Sequence, residues 1–126
     1  MKTGSCLCGA VKYEAKNLRE ILACHCLQCR KQTGHFMMAT AAADLDFKLT
    51  EERGLKWYRS SPAAQRGFCA ECGSVLFWRG DGKDYIAITA GSLDGPTGLK
   101  LSGHIYCDSA GDYYTITGGE FQKGEW

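Results

Sequence analysis

The chain has 126 residues, room for one domain and little more. Hydrophobic residues make up 44% of it, enough for a modest core without covalent staples, and 15 Lys and Arg against 14 Asp and Glu leave a net charge of +1. That balance argues against a nucleic-acid-gripping protein and against a polybasic membrane anchor. No apolar stretch is long enough to cross a bilayer and Met1–Gly9 lacks a signal-peptide pattern, so the expected address is the cytosol, where thiols stay reduced.

Ala10–Ala15 alternates, with Val11 and Tyr13 on one face and Lys12 and Glu14 on the other, which predicts a half-buried strand. Leu18–Cys24 is a second strand candidate. Leu27–Thr33 is the best helix candidate, ended by Gly34. Phe36–Ala41, Leu55–Arg59 and Val75–Trp78 read as short strands. Arg79-Gly80-Asp81-Gly82-Lys83 is a turn signal before a strand at Tyr85–Thr89. Leu101–Cys107 and Tyr113–Thr117 are the last strand candidates. Sixteen glycines favour short strands and turns over long helices. The expectation is a single domain over residues 1–126, mainly β and mainly antiparallel, with metal organising its loops.

That last clause comes from the eight cysteines: Cys6, Cys8, Cys24, Cys26, Cys29, Cys69, Cys72 and Cys107. Seven fall in C-x-C, C-x-C-x-x-C and C-x-x-C groups, a pattern suited to metal and ill suited to disulfides. In an extended segment Cys6 and Cys8 point to one face and can share an ion. Phe68-Cys69-Ala70-Glu71-Cys72-Gly73 has the spacing of a zinc knuckle. Cys6, Cys8, Cys69 and Cys72 make the four tetrahedral ligands of a structural zinc, leaving Cys24, Cys26 and Cys29 as a tripod with one open position, the mark of a catalytic-type zinc. The alternative is that His25, His35, His104 or Cys107 closes this second site. Three thiolates make zinc a weak Lewis acid for water but a good host for a soft fourth ligand, so thiol chemistry is expected ahead of hydrolysis.

Gly4-Ser5-Cys6-Leu7-Cys8-Gly9-Ala10-Val11, Cys24-His25-Cys26-Leu27-Gln28-Cys29-Arg30-Lys31-Gln32-Thr33-Gly34, Arg66-Gly67-Phe68-Cys69-Ala70-Glu71-Cys72-Gly73-Ser74 and His104-Ile105 together resemble the glutathione-dependent formaldehyde-activating (GFA) enzyme family, which includes centromere protein V. The resemblance implies a zinc-organised antiparallel β-tent. It implies the same division of ligands, with Cys24, Cys26 and Cys29 in the catalytic role, and a carbon–sulfur lyase that joins glutathione to formaldehyde. His35 departs from the small residue expected after Gly34, and Cys107 has no counterpart; its expected role is a buried small apolar residue.

Glutathione carries two carboxylates, so Arg30, Lys31, Arg66 and Arg79 are candidate contacts, with Arg30 and Lys31 favoured because they follow a ligand. Trp57, Trp78 and Phe68 are candidate pocket walls or core aromatics, and Asp94 a loop or turn residue. Two other classes stay open: a non-catalytic zinc-stapled protein-interaction module, and a redox or metal-buffering thiolate cluster.

Overall fold

The computed structural model describes all 126 residues. Eleven strands and one helix follow in the order β1 Lys2–Ser5, β2 Lys12–Ala15, β3 Ile21–Cys24, α1 Leu27–Thr33, β4 Met37–Ala43, β5 Phe47–Glu51, β6 Leu55–Ser61, β7 Ala64–Cys69, β8 Val75–Gly80, β9 Tyr85–Thr89, β10 Leu101–Ile105 and β11 Phe121–Gln122. They form a three-stranded sheet, β1-β2-β5, and an eight-stranded sheet, β11-β10-β3-β4-β9-β8-β7-β6.

The fold is mainly β, as expected, but the large sheet is mixed. β10 pairs in parallel with β3 and with β11, while every other ladder is antiparallel. The parallel pairing follows from topology: β10 returns to the free edge of β3 from far along the chain, not through a hairpin. Tyr113–Thr117 forms no strand; its tyrosines instead fold back over α1, and pairing at the sheet edge falls to Phe121–Gln122. The motif around Cys6 and Cys8 is likewise a turn and not extended, for β1 ends at Ser5, the Gly9 N–H reaches the Cys6 carbonyl at 3.3 Å, and Gly9 adopts φ +84°.

The main core lies between the two sheets. Val11, Tyr13 and Ala15 meet Leu76, Phe77, Ile86 and Ile88 there, and Cys6 and Cys69 belong to the same buried cluster. Tyr13 and Phe47 both approach Phe77 edge-on, at 5.5 and 5.4 Å between centroids. Trp57 stacks on Phe77 at 6.0 Å, so it is a core aromatic, and Trp78 tilts over Tyr85.

Two features of this core are open to direct test. A Cβ on Gly54 would stand 2.7 Å from the Ala10 Cβ and 2.9 Å from the Cys69 sulfur. Gly54→Ala is therefore expected to cost about 1–3 kcal/mol in denaturant titrations and to loosen whatever Cys69 ligates. Burial pushes the Tyr13 phenol up to about 12 from its ordinary value near 10, against the opposing hydrogen bond to Ser92. The folded state thus holds this proton more tightly than the unfolded chain. Its contribution to stability is complete below pH 10 and is lost as pH rises towards 12. Tyr13→Phe is expected to lose about 1 kcal/mol at pH 7 and to show a flatter stability profile than the parent across that alkaline window.

Candidate metal centres

Seven of the eight cysteines gather into two clusters, Cys6/Cys8/Cys69/Cys72 and Cys24/Cys26/Cys29, with the sulfurs inside each within 4.8 Å of one another.

The first cluster joins the two sheets. Cys6 and Cys8 sit in the turn after β1, Cys69 ends β7, and Cys72 lies in the turn from β7 to β8. Sulfur separations of 3.8 Å between Cys6 and Cys8, and between Cys8 and Cys69, are those of thiolates sharing one tetrahedral ion with metal–sulfur bonds of about 2.3 Å. The backbone is arranged for anionic sulfur. The Val11 N–H points at the Cys6 sulfur at 3.2 Å, and the Ser74 hydroxyl lies 3.2 Å from the Cys72 sulfur, lowering that thiol to about 5. The Leu7 N–H in turn donates to the Ser74 hydroxyl, which locks one knuckle onto the other.

The second cluster spans the end of β3 and the start of α1. Cys24 is the last residue of the strand, Cys26 caps the helix by accepting the Cys29 N–H at 3.4 Å, and Cys29 is buried on the inner side of the first turn. Gly34 ends the helix in the left-handed region, as its place in the sequence predicts. The three thiols cannot ionise together unaided. Hydrogen bonds from Cys24 and then Cys29 draw the Cys26 thiol well below its ordinary range, while the same crowding by Cys26 pushes Cys24 far up. A cation is what lets all three be thiolates at once, so this donor set also fits a metal.

None of the candidate fourth ligands joins the second cluster. His25 lies between two of its cysteines, yet its ring is fully buried on the other side of the loop. Its Nδ1 faces the Tyr114 hydroxyl at 2.5 Å and its Nε2 faces the His104 Nδ1 at 2.9 Å. The His104 Nε2 has only the Glu120 carboxylate nearby, at 3.7 Å. His35 is exposed against Phe36 and Tyr114, and Cys107 is half-buried in a short 3-10 turn. The expectation of a buried Cys107 fails because the turn puts it at the edge of the fold, held by its backbone to Lys123.

The basic candidates separate clearly. Arg30 donates to the Ser109 carbonyl at 2.9 Å, Lys31 is exposed, and Arg79 pairs with Asp44 at 2.7 Å. Arg66 is the one that meets the cluster. It is buried, with Nη1 3.5 Å from the Cys29 sulfur and 3.0 Å from the Gln32 Oε1, and Nη2 3.9 Å from the Cys26 sulfur. Asp94 holds its loop to β1, accepting the Thr3 hydroxyl at 2.8 Å. Gln32, Tyr114 and Glu120 escape sequence reasoning altogether, since nothing local marks a helix glutamine or a tail residue as a neighbour of this centre.

A sequence model of the family described as glutathione-dependent formaldehyde-activating enzyme matches residues 1–109. The chain belongs to the GFA family. A relative named an uncharacterised lyase, from Schizosaccharomyces pombe, is 28% identical over 113 residues, covering 88% of this chain and 82% of its own. The crystal structure of a Rhodobacter sphaeroides protein superposes with a TM-score of 0.66 at 24% identity, over 76% of this chain and 91% of the other, a likeness of fold. The GFA match ends before Tyr114 and Glu120, so the residues that contact the two histidines from outside lie beyond it.

The two centres should respond differently to loss of a ligand. Cys69→Ser is expected to abolish the cooperative thermal transition, because Cys69 is buried in the main core and metal binding there is folding free energy. Cys26→Ser should keep the melt and lose one metal equivalent by native mass spectrometry. Equal unfolding of both variants would refute a division into structural and working centres.

Proposed function

We propose that this GFA-family protein is a zinc-dependent carbon–sulfur lyase-like enzyme that adds a thiol, glutathione being the first candidate, to a small carbonyl such as formaldehyde, or runs the reverse cleavage. The observation that carries the reading is the unequal division of cysteines. Four surround one point, and three surround another with no fourth protein ligand among its neighbours. The family match and the lyase-named relative support a reaction at a carbon–sulfur bond.

Cys6, Cys8, Cys69 and Cys72 would hold a structural zinc, and Cys24, Cys26 and Cys29 a second one. When bound at three thiolates, zinc supplies a vacant coordination position at which a thiol gives up its proton and becomes a positioned nucleophile. The chain's own groups set the stage. Cys26 is fixed by its capping bond, Cys29 by burial, and the loop between them and β3 is anchored from behind by His25 on His104 and Tyr114. Arg30 and Lys31 lie on the same helix as Cys29 and remain the favoured contacts for glutathione carboxylates; the Ser109 carbonyl engages only Nη1 of Arg30.

Native mass spectrometry of the purified protein, with and without glutathione, tests this. Two zincs and one retained glutathione are expected, with both the adduct and one zinc absent in Cys26→Ser. Formaldehyde consumption should then require glutathione and fall by at least about a hundredfold in that variant. Two zincs with no retained thiol would instead favour a zinc-stapled interaction module.

A further inference from the structure

Arg66 presents an electrostatic problem that the rest of the site does not explain. It stands on β7 and is only 5% exposed. A buried guanidinium ordinarily faces a carboxylate, because an uncompensated charge in the interior is costly. Arg66 takes part in no ion pair with an acidic residue; its partners are the amide oxygen of Gln32 and the sulfurs of Cys29 and Cys26. The cysteine cluster is therefore its counter-charge, and Gln32, one turn along α1 from Cys29, holds the fork against those sulfurs.

We infer that Arg66 is a positioning residue that sets chemoselectivity: its N–H donors lower the nucleophilicity of Cys26 and Cys29, so that the incoming thiol and not the protein's own sulfur attacks the carbonyl. The inference rests on the thiol-addition reading for its purpose, but on geometry for its existence. An unprotected ligand thiolate would attack the carbonyl carbon itself. The new carbon–sulfur bond takes the sulfur lone pair, the carbon–oxygen π pair moves to oxygen, and a proton from water completes an S-hydroxyalkyl cysteine that no longer ligates well. Hydrogen bonds to an ionised acceptor draw away the electron density such an attack needs. The charge acts in the same direction for the substrate. Three thiolates holding a divalent ion would carry one net negative charge, which the Arg66 guanidinium beside Cys29 would offset for an incoming thiolate.

The test reads the protein's own sulfurs. Zinc-loaded protein is treated with limiting iodoacetamide, which transfers its carbamidomethyl group to thiolate sulfur and releases iodide, and each cysteine is followed by peptide mass spectrometry. Cys24 and Cys26 are both partly exposed, and only Cys26 faces Arg66, so the ratio of their rates is an internal measure. Arg66→Met, similar in length but without donors, is expected to raise the Cys26-to-Cys24 ratio by about tenfold. Arg66→Lys should recover part of the protection, since it restores charge without the planar fork. Gln32→Ala, which leaves the arginine in place and removes only its anchor, should raise the ratio by a smaller factor even if Arg66→Met does not fold. An unchanged ratio in the Gln32 and Arg66 variants overturns the inference, and so does a rise that lysine fails to reduce, which would point to lost packing. Iodoacetamide involves no glutathione, so failure to retain a substrate thiol would sink the proposed reaction while leaving this result to stand or fall separately.

Discussion

Sulfur crowding is the constraint from which the molecule is built. Cys6 and Cys8 come from a turn beside one sheet, Cys69 and Cys72 from the end of β7 and the turn after it in the other, and neighbouring sulfurs stand 3.8 Å apart at the rim of the main core. Four such groups repel one another as thiolates and, as thiols, would be weakly bonded polar atoms where apolar packing would serve better. The arrangement makes sense around a cation. With one in place, the small sheet is tied to the large one and the Tyr13–Phe77 core is closed at its end.

The second cluster shares a strand with the first. β7 contributes to both, giving Cys69 to the four-cysteine centre and Arg66 to the three-cysteine centre. Although β4, β9 and β8 separate β3 from β7 in the sheet, α1 crosses to that side, where Gln28 donates to the Ser60 carbonyl and Gln32 accepts from Arg66. The tripod is thus gripped from two directions. Arg66 meets its sulfurs, and His25 anchors its backbone to His104 and Tyr114.

Much of this was readable in the residues. The cysteine spacings divide into the two clusters that the structure assembles, and Leu27–Thr33 with Gly34 marks the helix to its ends. Tyr85–Thr89 is found at its expected bounds because a strong turn precedes it. What failed depends on tertiary pairing. β7 carries Arg66 and Gly67 and has little strand character of its own; ladders with β6 and β8 on both sides hold it extended. Cys6 and Cys8 form a turn because the Gly9 backbone and the Ser74 contact favour a knuckle over an extended segment. The tail is the least legible part. Tyr113 and Tyr114 have strand-like character, yet they pack over α1 and His25, where no local pattern could send them.

The parallel pairing of β10 with β3 also sets an order of assembly on the ribosome. The four-cysteine centre has its last ligand once Cys72 has emerged, with β1, β2, β5, β6 and β7 already made. The outer edge of β3, which carries Cys24, stays bare until Leu101–Ile105 arrives, bringing His104 to His25, and Tyr114 follows later still. Cys24, Cys26 and Cys29 precede Cys69 and Cys72 in the chain, so both sulfur sets leave the ribosome before the strand and tail that anchor His25, and the backing of the three-cysteine cluster is the last part of the fold to be completed.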